Sequence, residues 1–315
     1  MKILITGASG FLGQHLIAQL LNSDSPHHLT LQYRSKEGFE NSVKSHPLLN
    51  DSPSKIEFRQ ADLASQDDVE QLFKSSDPFD ICLHLAAISS PRNAEKDPKS
   101  AMNSNVPRHL FDMLKDTPIV ALSTDQVYCG QKAPYHDDSE VGPLNVYSSS
   151  KVEMEKYLMK NQSSSVVCLR SSIILGPEAP FGDAHSTFLH FCKSREGEKT
   201  TFYTDECRSV INVGDVCNVL NHFVRAVERG ETFESSIYNM GGPHRVSRFD
   251  MANMIAKHFS FDASDTFIAA EKANLNQGPD DVASPLDISM SSTKLEKVVG
   301  FKFKDLEQTI KETFA

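Results

Sequence analysis

The chain of 315 residues has no tryptophan and only six cysteines. It also has no apolar run approaching the roughly 18 residues that a membrane span requires. Cys82, Cys129, Cys168, Cys192, Cys207 and Cys217 form no Cys-x-x-Cys pair and no dense cluster. This spacing argues against a disulfide scaffold and a zinc ribbon and points to reduced thiols. Positive charge is in deficit, with 32 Lys and Arg against 42 Asp and Glu and a net charge of −10. That balance argues against broad contact with nucleic acid or an anionic membrane. Met1-Lys2 leads directly into an apolar segment, with no long apolar stretch before a small-residue cleavage site, so a cytoplasmic location is expected. Hydrophobic residues at 39% and charged residues at 23% are those of an ordinary globular protein. A chain of this length forms one or two domains and buries roughly three quarters of its unfolded surface.

Short β-rich runs alternate with helical periodicity through the first half. Strands are predicted over 2–6, 29–34, 55–59, 80–85, 119–123 and 166–169, and helices over 11–22, 66–74, 106–114 and 146–159. This alternation implies an α/β fold: a Rossmann-like, doubly wound parallel sheet with a smaller C-terminal substrate-binding domain. Residues 1–170 are the expected dinucleotide-binding domain and 171–315 the substrate-binding region, with a segment at about 210–230 packing back on the first. Residues 36–54, rich in Ser, Pro, Asn and Lys, are read as a long surface loop with room for one helical turn. Further helices are predicted over 186–195, 216–228, 247–259, 291–298 and 305–313, and a strand over 236–240.

The run Gly7-Ala8-Ser9-Gly10-Phe11-Leu12-Gly13 lies between the first strand and the first helix. Glycines there permit a tight turn and close approach of backbone N–H groups to a pyrophosphate, beside the positive end of the helix. The alternative is a tight turn and nothing more. At the end of the second strand, where an acidic residue would accept from a ribose 2′-hydroxyl, the chain has Arg34-Ser35. A guanidinium with a neighbouring hydroxyl suits a 2′-phosphate, favouring NADP(H) over NAD(H); a solvated loop arginine is the other reading. Asp62-Leu63 follows the third strand, where the carboxylate can meet an adenine amino group or simply start a helical turn.

Tyr147 and Lys151 stand four residues apart on a predicted helix and share one face. An ammonium about 4 Å from a phenol would favour the phenolate by at most roughly 4 kcal/mol, enough to make Tyr147 a usable acid or base. Ser123-Thr124-Asp125 ends the fifth strand at the carboxyl edge of the sheet, where such folds bind ligands, and Thr124 is placed to orient a substrate oxygen. The loop 129–145 is expected to cover that cleft, and His84 to line its nicotinamide side. His185, His190 and Cys192 lack the two-His helical spacing of a zinc site, so no metal is expected.

These pieces together resemble the extended short-chain dehydrogenases/reductases. The resemblance runs from the glycine turn at 7–13 through Asp62-Leu63, His84-Leu85-Ala86-Ala87, Asn105, Ser123-Thr124 and Tyr147/Lys151 to Arg208–Val216 and Tyr238–Gly242. Ser123-Thr124-Asp125-x-Val127 with Pro143-Leu144-Asn145-x-Tyr147 is most similar to dTDP-4-dehydrorhamnose reductases, and resembles the regulatory β subunit of methionine adenosyltransferase as well. The resemblance implies Thr124, Tyr147 and Lys151 as catalytic residues. It implies cofactor contacts from Gly7, Ser9, Gly10, Phe11, Leu12, Gly13, Arg34, Ser35, Asp62, Leu63, Leu85, Ala86, Ala87 and Asn105, with Tyr147 and Lys151 contributing. Ser123, Asp125 and Arg208 are the implied substrate contacts, Arg208 near the nucleotide phosphates.

The expected activity is NADPH-dependent reduction of a nucleotide-linked 4-keto sugar. An NAD-dependent 4-epimerase and a non-catalytic dinucleotide-binding regulatory subunit are the alternatives. The expected partner is a small nucleotide sugar, with no nucleic acid or membrane, and a homodimer is left open. Gln126 in place of a dehydratase glutamate, Ser148 after the tyrosine, Cys129 in place of an acid and the longer 36–54 segment depart from the family pattern.

Overall fold

The computed structural model describes residues 1–34, 38–74, 78–182, 184, 186–274 and 281–315. Its first part runs β1 (Lys2–Thr6), α1 (Phe11–Leu21), β2 (His28–Tyr33), α2 (Phe39–Ser45), α3 (Pro47–Asp51), β3 (Lys55–Gln60), α4 (Gln66–Phe73) and β4 (Ile81–His84). There follow α5 (Pro91–Lys96), α6 (Pro98–Asn105), α7 (Arg108–Met113), β5 (Ile119–Thr124), α8 (Val146–Asn161), β6 (Val166–Ser171) and β7 (Ile174–Leu175). The remainder is α9 (Phe188–Ser194), β8 (Thr200–Tyr203), β9 (Cys207–Arg208), β10 (Ile211–Asn212), α10 (Val213–Glu228) and β11 (Ser236–Met240). It ends with β12 (Val246–Ser247), α11 (Arg248–Phe259), β13 (Phe267–Ala270), α12 (Thr293–Val299) and α13 (Leu306–Thr313).

Seven strands form one sheet in the order β11-β6-β5-β4-β1-β2-β3, with every neighbouring pair parallel. The doubly wound α/β fold expected from the sequence is thereby borne out. Strand order reverses between β1 and β4, and the crevice at such a switch point is where open α/β sheets bind ligands. β1 is apolar on both faces because it lies inside a two-sided core. Ile3 and Ile5 join α1 and the strongly amphipathic α10 on one face, through Leu16, Ile17, Val216, Leu220 and Phe223. Leu4 joins α7 and α8 on the other, through Phe111, Met154 and Leu158. A separate core gathers Leu189, Phe202, Met251, Ile255 and Phe267 from the later segments.

Of the segment expected to be a loop, residues 36 and 37 lie outside the described residues, and residues 38–54 hold two short helices. Phe39 and Val43, one helical turn apart, are buried and drive α2 onto the edge of the sheet; Phe39 meets Tyr33 and Phe58 at ring distances of 5.6 and 6.1 Å. Pro47 opens α3, and the ring of His46 accepts from the Leu48 N–H as its cap. Two apolar anchors in a Ser/Asn/Lys-rich stretch leave too weak a periodicity to read. The helices α5 and α6 were likewise not anticipated, although each is announced by a capping residue followed by proline, Ser90-Pro91 and Asp97-Pro98. Among the described residues no helix is long and apolar enough to cross a membrane. Truncating Phe39→Ala is expected to lower the unfolding free energy by about 3–5 kcal/mol, read from urea denaturation.

Candidate active site

At the switch point a cleft of about 610 Å³ opens along the carboxyl ends of β1, β2, β4, β5 and β6. Gly7 begins it. Its φ of +68° lies in the left-handed region, and a Cβ there would stand 2.7 Å from the Ala86 nitrogen, so the turn and the loop after β4 touch backbone to backbone. Gly13, in the first turns of α1, packs on that turn, since a Cβ there would stand 2.6 Å from the Gly7 carbonyl oxygen. Gln32, buried on β2, accepts from the Gly7 N–H at 3.0 Å and donates to the Ala61 carbonyl at 2.7 Å, tying the turn to two neighbouring strands. Gln14 donates to the Ser9 and Gly182 carbonyls at 3.1 and 2.9 Å and accepts from Phe181 N–H, so the segment 181–182 lies strapped against the turn. α1 has Gly10 as its N-cap, with no side-chain cap and no acidic residue in its first turn.

The cleft brings together Gly7, Ser9, Gly10, Phe11, Leu12, Gly13, Arg34, Asp62, Leu63, Leu85, Ala86 and Ala87 with Ser123, Thr124, Asp125, Tyr147 and Lys151. Ser35 and His185 lie outside the described residues. Asp62 also accepts from Ala64 N–H, so it starts the turn after β3 while facing the cleft. Three of the expected residues do not line the cleft. Asn105 is wholly buried behind the cleft, where it braces the loop after β4 against α8 by accepting from Ile88 N–H at 2.7 Å and donating to Ser150 Oγ at 2.8 Å. Arg208 is buried, donating to the carbonyls of Cys207, Leu286 and Pro285 and to Glu206, and does not line the cleft. His84 is sealed in the core, its Nδ1 on Thr6 Oγ1 at 2.9 Å and its ring edge-on to Phe111.

The loop 129–145 contributes no lining residue. It is held instead on the 283–291 segment: Tyr135 N–H donates to Ser289 and Asn145 Nδ2 to Ala283. The Tyr135 hydroxyl accepts from the N–H groups of Gly130, Gln131 and Lys132, fixing the bend. Lining residues not anticipated include Ser172, Ile173 and Ile174, which directly follow β6; their position at a strand's carboxyl end was the available signal. Ser172 Oγ donates to Asp125 Oδ2 at 2.9 Å.

α8 carries the Tyr/Lys pair on a pinned start. The Asn145 side chain accepts from Ser148 N–H at 2.9 Å, and Ser148 Oγ accepts from Asn145 N–H at 3.2 Å. Ser148, the departure from the family pattern, thus completes a capping box. The expected acidification of Tyr147 by Lys151 is absent. Burial pushes the phenol up to about 12; the Thr124 hydroxyl draws it partly back and the Asp125 carboxyl adds to the rise. The Lys151 ammonium donates to the Leu122 carbonyl at 2.8 Å, and burial brings it down to about 8, opposed by Cys168 and Glu155. Burial also raises Asp125, against the pull of Arg208 and Ser172.

Fold and cleft define the class: an NAD(P)-dependent oxidoreductase of the extended short-chain dehydrogenase/reductase type. Within it, the chain belongs to the RmlD substrate-binding domain family, whose profile matches residues 1–315. It is 26% identical to a dTDP-4-dehydrorhamnose reductase of Aggregatibacter actinomycetemcomitans, over 98% of this chain and 97% of that one. It is 25% identical to methionine adenosyltransferase 2 subunit beta of Danio rerio, over 84% of this chain and 75% of the relative. Among solved structures, the dTDP-4-dehydrorhamnose reductase of Bacillus anthracis in complex with NADP superposes with a TM-score of 0.73 at 18% identity, covering 99% and 97% of the two chains.

The unfolded chain keeps the Lys151 proton up to about pH 10.5, whereas the folded chain releases it near 8. The unfolded state therefore binds more protons between those values, and stability rises with pH across that window. Below it the buried cation costs on the order of 3 kcal/mol. Lys151→Met, which loses the hydrogen bonds to the Leu122 carbonyl and the Met154 sulfur, is expected to be more stable than the native chain at pH 7 by about 1–3 kcal/mol, with the gain fading toward pH 10; urea denaturation across pH measures it.

Proposed function

We propose that this protein is an NADPH-dependent reductase of a nucleotide-linked 4-keto sugar. The observation that carries this reading is the meeting, in one cleft, of the glycine turn with Thr124, Tyr147 and Lys151. The residues present fit a dinucleotide. The first turn of α1 lines the cleft with no side-chain cap and no carboxylate to compete for its N–H groups, and a side chain at Gly7 in the turn before it, or at Gly13 in the helix packed on that turn, would collide with backbone. Gly7, Ser9, Gly10, Phe11, Leu12 and Gly13 would hold the pyrophosphate and Arg34 the 2′-phosphate. Asp62 and Leu63 would meet the adenine, and Leu85, Ala86 and Ala87 would line the path onward.

When bound, the reduced nicotinamide supplies the hydride. Thr124 orients the carbonyl oxygen, and Tyr147 gives its phenolic proton to that oxygen as negative charge develops there. A phenol held near 12 keeps its proton at neutral pH, which suits the acid required in the reducing direction. Lys151, still mostly an ammonium at pH 7 with its midpoint near 8, supplies positive charge at the same place. The part of the chain after residue 171 would receive the sugar nucleotide.

The likeness to methionine adenosyltransferase 2 subunit beta supports a second reading, a dinucleotide-binding regulatory subunit. Co-purification with a methionine adenosyltransferase, without turnover of any keto sugar, would decide for it.

Loss of nicotinamide absorbance across a panel of nucleotide-linked 4-keto sugars tests the reductase. Tyr147→Phe is expected to cut turnover by about 10²–10⁴-fold while NADPH, followed by nicotinamide emission, still binds within a factor of about three. A near-native rate in that variant rules the mechanism out. Arg34→Ala is expected to weaken NADPH binding about 10- to 100-fold and leave NADH binding nearly unchanged, measured by the same emission.

A further inference from the structure

Behind the cleft lies a buried charge cluster that the proposed chemistry does not use. Glu155 is one turn beyond Lys151 and two beyond Tyr147 on α8, so the three share one helix face. Its carboxylate is bidentate to Arg170 of β6, with Nε at 3.0 Å and Nη2 at 2.8 Å, and both side chains are at least 94% buried. Glu155 Oε1 also accepts from Ser123 Oγ of β5 at 2.5 Å. Lys151 reaches the residue before, donating to the Leu122 carbonyl at 2.8 Å. The two side chains thus clamp α8, which carries Tyr147, to consecutive residues of β5, and Thr124 is the next residue in the strand. Arg170 continues the network through the Tyr128 hydroxyl at 3.0 Å to Asn239 of β11.

Among the described residues, Arg170 is faced by Glu155, Tyr128 and Asp137, whose carbonyl accepts from Arg170 Nη1 at 3.3 Å and whose carboxylate accepts from Asn239 N–H at 2.6 Å. Lys151 is faced by His84 of β4, Cys168 of β6 and Glu155; Glu155 is faced by Arg170, Cys168 and Lys151. From α5 and α6, Glu95 and Asn105 bind Val146 N–H and Ser150 Oγ instead. Arg170 is thus the cation bonded to the buried carboxylate, and Lys151, one turn away on the same helix face, lies within its electrostatic reach. A guanidinium does not give up its proton in a protein, so if the carboxylate were neutralised Lys151 would be the one to deprotonate.

Resting on the reading of Thr124, Tyr147 and Lys151 as the reductase machinery, we infer that Glu155 is a positioning residue that keeps Lys151 cationic and holds Lys151 and Thr124 in register, with Arg170 competing for the same carboxylate. The competition makes two opposite expectations. Glu155→Gln removes the carboxylate bonded to Arg170 and Ser123, so the Lys151 midpoint falls by about one pH unit or more. Arg170→Met removes the competing cation, so the midpoint rises by a similar amount.

The test is NMR titration of protein labelled at lysine Cε, with the Lys151 signal assigned by its loss in Lys151→Met. The readout needs no substrate, so it separates this inference from the reductase reading: opposite shifts without turnover would support Glu155 and remove the reductase. Where turnover is measurable, Glu155→Gln is expected to lower kcat and shift its pH profile with the Lys151 midpoint, leaving KM for NADPH within about threefold. An unchanged midpoint in either folded variant overturns the inference. Failure of both variants to fold would assign the pair a purely structural duty and overturn it equally.

Discussion

The Lys151 ammonium, buried at the edge of the sheet, is the constraint around which the site is organised. A cation taken out of water needs either a partner or a lowered proton affinity, and this one has both: the Leu122 carbonyl at 2.8 Å, and a midpoint brought down to about 8. The group is destabilising for the fold near neutral pH, so the surroundings that hold it must be stable without it. Those surroundings are two apolar clusters on either face of a fully parallel seven-stranded sheet. Tyr147 is held high for the same reason, since the burial that lowers an ammonium raises a phenol. Proximity on one helix face therefore does not make the two groups exchange charge; the medium acts on each first.

The other end of the cleft is built from contacts rather than charge. Gly7 touches Ala86 backbone to backbone, and Gln32 and Gln14 each spend both ends of an amide on holding the turn in place. What remains for a ligand is the uncapped start of α1. The rigid turn and the pinned start of α8 lie on different strand–helix units, and only the closure of the sheet between β1 and β4 brings them to one crevice.

Much of this was legible. The apolar strand, glycine turn and amphipathic helix at the start, the Tyr/Lys spacing and the Ser-Thr end of β5 are local patterns with a local physical cause, and each lies where its pattern placed it. The failures have causes as well. α2 rests on two apolar side chains, Phe39 and Val43, in a polar stretch, so its signal comes from the surface it packs on. Arg208 looked like a free bidentate cation because sequence does not reveal that backbone carbonyls at 285 and 286 would claim its guanidinium. The bracing role of Asn105 was not legible because its partners Ile88 and Ser150 are 17 and 45 residues away.

Residue order alone determined the strands of the central sheet, where a glycine must stand, and which face of α8 carries a phenol and an amine, because those follow from periodicity and backbone sterics. Tertiary structure alone decided which of the candidate residues reach the cleft and what charge each holds there. Burial, carbonyl placement and the pairing of a buried carboxylate with a buried guanidinium arise between separate segments of the chain, and proton affinity depends on the medium those segments create.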